Sequence, residues 1–405
     1  MNAYPVIIKN IPSTLVTIRA VVCAGSSSEV IPGTAHYLEH MMFKGTKNHN
    51  YQEMNQRIEE LGSVNAYTAE DTTVYYINTT KENTSAVFDI LCEMMFEPLF
   101  DNDELNKERT VILEEAKARL DNPQCMFFDK LNGDIFGDIG HSGIGSFEDI
   151  GNIDREHVVN FYDKFYRPGN MVFAVLGDVG NFNENEANAI MSKYVSDSDS
   201  ESFNCLPTID FDFKNRKNIE TKFKMKQSYL CLTLPTIPIK ESFNNYFVED
   251  IAHIMLGGGL SSLLFQRIRE EKGLCYSIGM GQSAIWDNTH SYIFTMLDKK
   301  NLQVAYNEIN NVIKQVQDGD FSDKMIDIAR NNAIFHAACQ QETLNGQANK
   351  IANEYFIRKV TGDNPTFNEY RERILSCPNM KERIQNYAKM LVGGHVSTMN
   401  GKIKI

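Results

Sequence analysis

Three stretches of the chain are dense in β-branched and aromatic residues: 15–23 (Leu-Val-Thr-Ile-Arg-Ala-Val-Val-Cys), 71–78 (Asp-Thr-Thr-Val-Tyr-Tyr-Ile-Asn) and Met171 to Leu176, which ends at Gly177. Such runs predict strands. Between them, apolar residues recur at three- and four-residue spacing over 33–43, 50–61, 83–97, 103–121 and 155–165, which predicts helices. Strands interleaved with helix pairs imply an α+β sandwich. The pattern breaks at residues 196–202 (Ser-Asp-Ser-Asp-Ser-Glu-Ser), which cannot feed a core and read as linker. It then restarts, with a strand-like run at 228–234, helical spacing at 243–256 and 260–271, strand-like stretches at 275–285 and 290–297, and further helices to about residue 392. The expected architecture is two similar α/β sandwich domains from a tandem duplication: residues 1–195, a linker over 196–220, and residues 221–405.

Composition narrows the class. The 405 residues are 42% hydrophobic and 23% charged, as in ordinary soluble globular proteins. The formal net charge of −13 disfavours nucleic acid and anionic membrane surfaces as partners. Met1 to Pro12 has no basic stretch followed by an apolar run, and no window elsewhere approaches about 18 uninterrupted apolar residues. The eight cysteines show no CxxC pair, which reads as reduced core residues in a cytoplasmic setting.

The sharpest chemical signal is His36-Tyr37-Leu38-Glu39-His40. Gly33 and Thr34 supply a turn and a cap, and good helix formers follow. Residues four apart lie over one another on a helix, so both imidazoles project from one face, with Glu39 about 100° away. Two nitrogens and a neighbouring carboxylate in this order are a zinc-hydrolase signature. The competing reading is a surface helix with two incidental histidines. A third ligand decides between them, because a catalytic zinc takes three protein ligands and an open position. The helix at 103–121 offers Glu104, Glu108, Glu114 and Glu115; Glu108 and Glu115, two turns apart, share a face, and Leu105, Val111, Ile112 and Ala116 point that face inward.

These residues carry a family resemblance. Gly33-Thr-Ala-His36-Tyr-Leu-Glu39-His40-Met-Met-Phe43-Lys-Gly45-Thr46, followed by Glu115 within Glu108-Arg-Thr-Val-Ile-Leu-Glu-Glu115, resembles the pitrilysin/insulysin superfamily of zinc peptidases. The similarity is to its short-chain branch, which includes mitochondrial processing peptidase and bacterial relatives. It continues through Asn65-Ala66-Tyr67-Thr68, Thr73-Val74-Tyr75-Tyr76 and Tyr166-Arg167-Pro168-Gly169-Asn170-Met171 to Gly177-Asp178. The resemblance implies Zn²⁺ on His36, His40 and Glu115, Glu39 as general base, and Glu108 orienting a ligand. It also implies an edge strand around Asn65 to Ala69 that accepts substrate as an added strand, with Asn65, Ala66 and Tyr67 as binding residues.

In the second half, Gly257-Gly258-Gly259 lacks the Gly-Lys-Ser/Thr of a phosphate loop and reads more simply as a hinge. The same peptidase branch has a Gly-rich loop here, followed by a pattern matched by Arg269-Glu270-Glu271-Lys272-Gly273-Leu274-Cys275-Tyr276. By resemblance Arg269 and Tyr276 hold substrate and oxyanion, and Gly258 and Gly259 contact substrate. Leu263 departs from the family, where arginine is frequent, and bears on subsite preference.

The expected function is a zinc-dependent endopeptidase cleaving unfolded or extended peptides, Glu39 taking a proton from zinc-activated water. Larger relatives close a chamber with four such domains, so a two-domain chain is half of a clamshell, and a homodimer is expected; a heterodimer with an inactive homologue is the other solution relatives use. The rival reading is a non-catalytic scaffold on the same fold. A chamber lined with carboxylates would prefer basic peptides.

Overall fold

The computed structural model describes residues 4–195, 216–220, 223–238, 241, 246–361 and 365–404. The chain divides into two units, one of residues 1–205 with 342–359 and one of residues 206–341 with 360–405.

The first unit is built on five strands, β1 (Val6–Asn10), β2 (Val16–Val22), β3 (Gly62–Thr68), β4 (Thr73–Thr79) and β5 (Met171–Gly177), in the order β1-β5-β2-β4-β3. β1 runs parallel to β5 and every other pairing is antiparallel. Every residue of β2 and β5 is buried. Both faces of these strands are therefore covered, which is why β5 reads as an unbroken apolar run and β2 departs from one only at Thr17 and Arg19. The alternate residues Val16, Ile18, Ala20 and Val22 join Phe173 and Val175 in the main core, against Tyr37, Leu38, Phe88 and Leu91. Those last four come from helices α1 (Thr34–Met41) and α3 (Thr84–Phe96); α2 (Tyr51–Leu61) and α4 (Asn102–Leu120) complete the layer beside the site.

The second unit repeats the plan. Strands β6 (Arg216–Ile219), β7 (Ser228–Pro235), β8 (Cys275–Ile285), β9 (Asn288–Leu297) and β10 (His395–Met399) take the order β6-β10-β7-β9-β8. Again the first pairing is parallel and the rest antiparallel. Identical order and identical senses are the mark of the expected duplication, with β8 standing where β3 stands in the first unit.

Two features correct the linear division. Of the expected linker, residues 196–215 lie outside the described residues, and Arg216–Ile219 is strand β6. The helix Leu344–Thr361, which the spacing assigns to the second domain, belongs through residue 359 to the first unit. Its residues Leu344, Ala348 and Ile351, at i, i+4 and i+7, pack on Ile11, Ala174 and Leu176. Arg19, on the face of β2 opposite Ile18, donates to Asn345 Oδ1 at 2.9 Å and to Asn349 Oδ1, and its guanidinium lies 4.8 Å from the Tyr76 ring centroid. The buried cation is thus hydrogen-bonded and stacked, which offsets its desolvation.

The seven described cysteines are free thiols. Among the described residues, no helix is long and apolar enough to cross a membrane.

Candidate metal centre

Gly33 precedes α1 with φ +94°, and a Cβ there would come 2.5 Å from the Ile144 carbonyl oxygen, so the position demands glycine. The helix then buries Ala35, Tyr37, Leu38 and Met41, and the Tyr37 hydroxyl donates to the Leu105 carbonyl of α4. This leaves His36 and His40 on the remaining face, ring centroids 4.7 Å apart. Along α4 the buried positions are Leu105, Glu108, Ile112 and Ala116. Val111, expected inside, is half-exposed; one residue of phase places it beyond the buried stripe.

Nε2 of His36 and Nε2 of His40 each lie 3.6 Å from Oε2 of Glu115. Among the described residues these three side chains are the group of metal-binding type whose ligand atoms converge, all within 4.8 Å of one another. Bond lengths of about 2.0–2.1 Å in a tetrahedral array put ligand atoms about 3.4 Å apart, so the observed separations are those of co-ligands and too long for hydrogen bonds. Among the described residues His36 Nδ1 is buried with no hydrogen-bond partner, so packing orients that ring. Half of the Glu115 side chain is exposed while the imidazoles are mostly covered, which keeps one side of the cluster accessible. The donor set fits zinc.

His40 is oriented from behind. Its Nδ1 lies 3.0 Å from Oε2 of Glu108, whose other oxygen is 2.5 Å from Lys44 Nζ. Burial opposes charge on both rings but with opposite results. His36 falls to about 4 through burial and then the nearby charge of His40. At His40 burial is overcome by the hydrogen bond to Glu108 and the nearby negative charge of Glu115 and Glu39, which lift it to about 9. Burial works to raise Glu108, and the hydrogen bonds from His40 and Lys44 bring it below the usual carboxylate range.

Glu39 is raised by burial, with Thr68 pulling the other way through a hydrogen bond of 2.6 Å to Oε2. Thr68 lies at the end of β3, which among the described residues pairs with β4 only and leaves its other edge free. Side chains alternate along a strand, so Ala66 shares the Thr68 face toward Glu39, whereas Asn65 and Tyr67 lie on the opposite face and are exposed. The edge residues therefore divide, and any substrate strand beside them would meet backbone first.

Arg269 and Tyr276 belong to the second unit and meet each other. Arg269 lies in the π-helical segment Phe265–Glu271, its guanidinium 4.6 Å from the Phe265 ring centroid and 5.6 Å from that of Tyr276. It pairs with Glu270 at 2.7 Å, and Tyr276 on β8 is 81% exposed. Gly258 and Gly259 are exposed after the helix Tyr246–Gly257; a Cβ on Gly258 would sit 2.5 Å from Ile254 Cα, while Gly259 has open space. Leu263 is buried in the second core.

Lys44 and Thr68 are contributors that spacing did not single out. Lys44 lies four residues after His40, a helical interval that could have flagged it. Thr68 meets Glu39 where α1 packs on β3, a contact between segments 29 residues apart that no local spacing records.

Comparison with known proteins gives a consistent result. The Insulinase (Peptidase family M16) domain matches residues 5–141, and the Peptidase M16 inactive domain matches residues 152–333. An uncharacterized zinc protease of Rickettsia felis is 29% identical over 297 residues, covering 73% of this chain and 70% of that protein. Another, of Bacillus subtilis, is 25% identical over 397 residues, covering 96% and 94%. Among solved structures, a protease from Helicobacter pylori superposes with a TM-score of 0.84 at 20% identity, over 98% of this chain and 97% of that one. A peptidase M16 inactive domain from Pseudomonas fluorescens gives 0.82 at 17%, over 99% and 95%. At these identities the solved structures speak for the fold.

Proposed function

The chain belongs to the insulinase (M16) family of peptidases, and from that premise we propose that it is a zinc-dependent endopeptidase acting on extended or unfolded peptides in a cytosol-like compartment. The observation that carries the reading is the convergence of His36, His40 and Glu115 beside Glu39. Relatives named as zinc proteases support the choice of metal.

Zinc on these three side chains would polarise a peptide carbonyl and acidify a water. The rest falls to the chain's own residues. Glu108 holds the Nδ1 proton of His40 and so keeps Nε2 free as a ligand. Thr68 occupies Oε2 of Glu39, leaving Oε1 to take the water's proton and return it to the leaving amine. The free edge of β3 binds substrate backbone, a mode that accepts many sequences. Arg269 and Tyr276 are assigned to the substrate and the oxyanion, and Gly258 and Gly259 to close backbone approach. The reading includes a homodimer, two chains of 46.1 kDa each; light scattering that returns the mass of one chain at full activity would exclude it.

The test is zinc analysis together with cleavage of a quenched peptide library by wild type and Glu39→Gln. The expected result is one zinc in both proteins and a loss of about 10²–10⁴-fold in cleavage by the variant. A zinc-loaded wild type that cleaves nothing would favour the scaffold, and equal cleavage by the variant would remove Glu39 from the mechanism.

A further inference from the structure

The first turn of α1 has no side-chain cap from its own N-cap residue, Gly33. Its N–H groups are met instead by Glu29, from the segment ahead of the helix. Oε1 accepts from the Gly33 N–H at 2.5 Å and Oε2 from the Ala35 N–H at 2.6 Å, and the Glu29 side chain is wholly buried. Ala35 is the residue before His36, so this carboxyl holds the backbone from which the first candidate ligand projects.

The segment carrying Glu29 is fastened at its other end to the β3–β4 hairpin. Ser26 N–H donates to the Ala69 carbonyl at 3.0 Å, Ser27 N–H to the Glu70 carbonyl at 2.8 Å, and Ser27 Oγ to the same carbonyl at 2.6 Å. A Cβ on Gly25 would come 2.1 Å from the Ala69 carbonyl oxygen, so the two segments are in backbone contact. On the far side, the turn after His141 closes the pocket: a Cβ on Gly145 would come 2.3 Å from the Pro32 carbonyl oxygen, and His141 Nε2 is 3.5 Å from Glu29 Oε1. Residues 25–29 thus run from the end of the edge strand β3 to the start of the metal helix.

We propose that Glu29 is a positioning residue: through residues 25–29 it locks the His36–His40 helix to the hairpin that presents the substrate edge. The inference rests on the zinc reading above. Burial raises the Glu29 carboxyl to about 8 against the opposing pull of the backbone N–H donors. In either charge state it presents two oxygens to two N–H groups. An amide offers one oxygen and one NH₂, and so sets a donor against a donor. Substitution leaves a first-turn N–H unpaired in a buried site, which loosens the turn that carries His36.

The test uses the full chain. Zinc affinity is measured by competition with a chelating dye for wild type, Glu29→Gln and Glu29→Asp, with circular dichroism to verify folding and the visible spectrum of the cobalt-substituted proteins to report ligand geometry. Both variants are expected to bind zinc about tenfold or more weakly, with a displaced cobalt band at unchanged helicity. If Glu29→Gln does not fold, Glu29→Asp decides, because it keeps the charge and shortens only the reach. Wild-type affinity and an unshifted cobalt band in a folded variant overturn the proposal. The two readings fail separately: a wild type that binds zinc and cleaves nothing refutes the peptidase while leaving the Glu29 result intact, and a wild type that binds no zinc overturns both.

Discussion

The second unit buries a carboxyl whose protonation should be visible in its stability. Glu249 on the helix Tyr246–Gly257 is 3% exposed; its Oε2 accepts from Thr236 Oγ1 at 3.2 Å and from Gln282 Nε2 at 3.3 Å, and its Oε1 has no hydrogen-bond partner among the described residues. Burial, reinforced by the charge of Asp250, lifts the carboxyl from an ordinary 4.5 to about 7. The folded state therefore binds a proton that the unfolded chain has released. The resulting stability is complete below pH 4.5 and disappears as pH rises through about 7. Its ceiling is about 3 kcal/mol, of which about 2 kcal/mol is lost between roughly pH 5.5 and 8. His253 and His290, both lowered to about 4 by burial, act in the opposite direction over the same range, so the wild-type curve alone cannot isolate Glu249. The difference between wild type and Glu249→Gln can. Glutamine keeps the shape and can still accept from Thr236 and Gln282, but does not titrate. Urea unfolding followed by fluorescence suits the question, because the chain's single tryptophan, Trp286, is buried in the second unit. Relative to wild type, Glu249→Gln should gain about 2 kcal/mol on going from roughly pH 5.5 to 8. A difference that is the same at both pH values would refute the assignment of a raised carboxyl at this position.

Other outcomes follow from the first unit. Removing the Thr68 hydroxyl with Thr68→Val takes away the larger of the two pulls that oppose burial at Glu39, so the acid limb of kcat/KM should move to higher pH; an unmoved limb would mean that Thr68 does not tune the base. Chelation of zinc should lower the melting temperature of the first unit, seen by circular dichroism, while the Trp286 transition stays in place; a shift of both would show that the metal stabilises more than the unit that holds it. Gly25 has an extended φ of −146° that any residue can adopt, so Gly25→Ala tests space alone. With the new Cβ 2.1 Å from the Ala69 carbonyl oxygen, unfolding of the first unit should become easier by about 1–3 kcal/mol, and unchanged stability would mean that the hairpin is not held there.

Legibility in the sequence followed the strength of periodicity. β5 is an unbroken apolar run and β2 departs from one only at Thr17 and Arg19, while α1 and α4 carry three- to four-residue spacing and α4 a cap at Asp101, so all four could be read directly, as could the shared face of Glu108 and Glu115. β1 (Val-Ile-Ile-Lys-Asn) and β3 (Gly-Ser-Val-Asn-Ala-Tyr-Thr) are edge strands of mixed polarity, and the hydrophobic pattern passed over both; only the family resemblance pointed to β3. Thr68 and Glu29 act on α1 through contacts between segments far apart or out of helical phase, which no local spacing records. The helix Leu344–Thr361 was legible as a helix but not as a part of the first unit, because its apolar stripe does not say which sheet it covers.

That displaced helix sets an order of events during synthesis. The outer face of the first sheet, with Arg19, Ala174 and Leu176, receives its cover from residues 342–359, about 150 residues downstream of Cys205. At a translation rate of about 5–20 residues per second, that interval is roughly 8–30 s. The amino-terminal half thus leaves the ribosome with an apolar face and an arginine still waiting for their partner. It cannot finish before most of the carboxy-terminal half has been made.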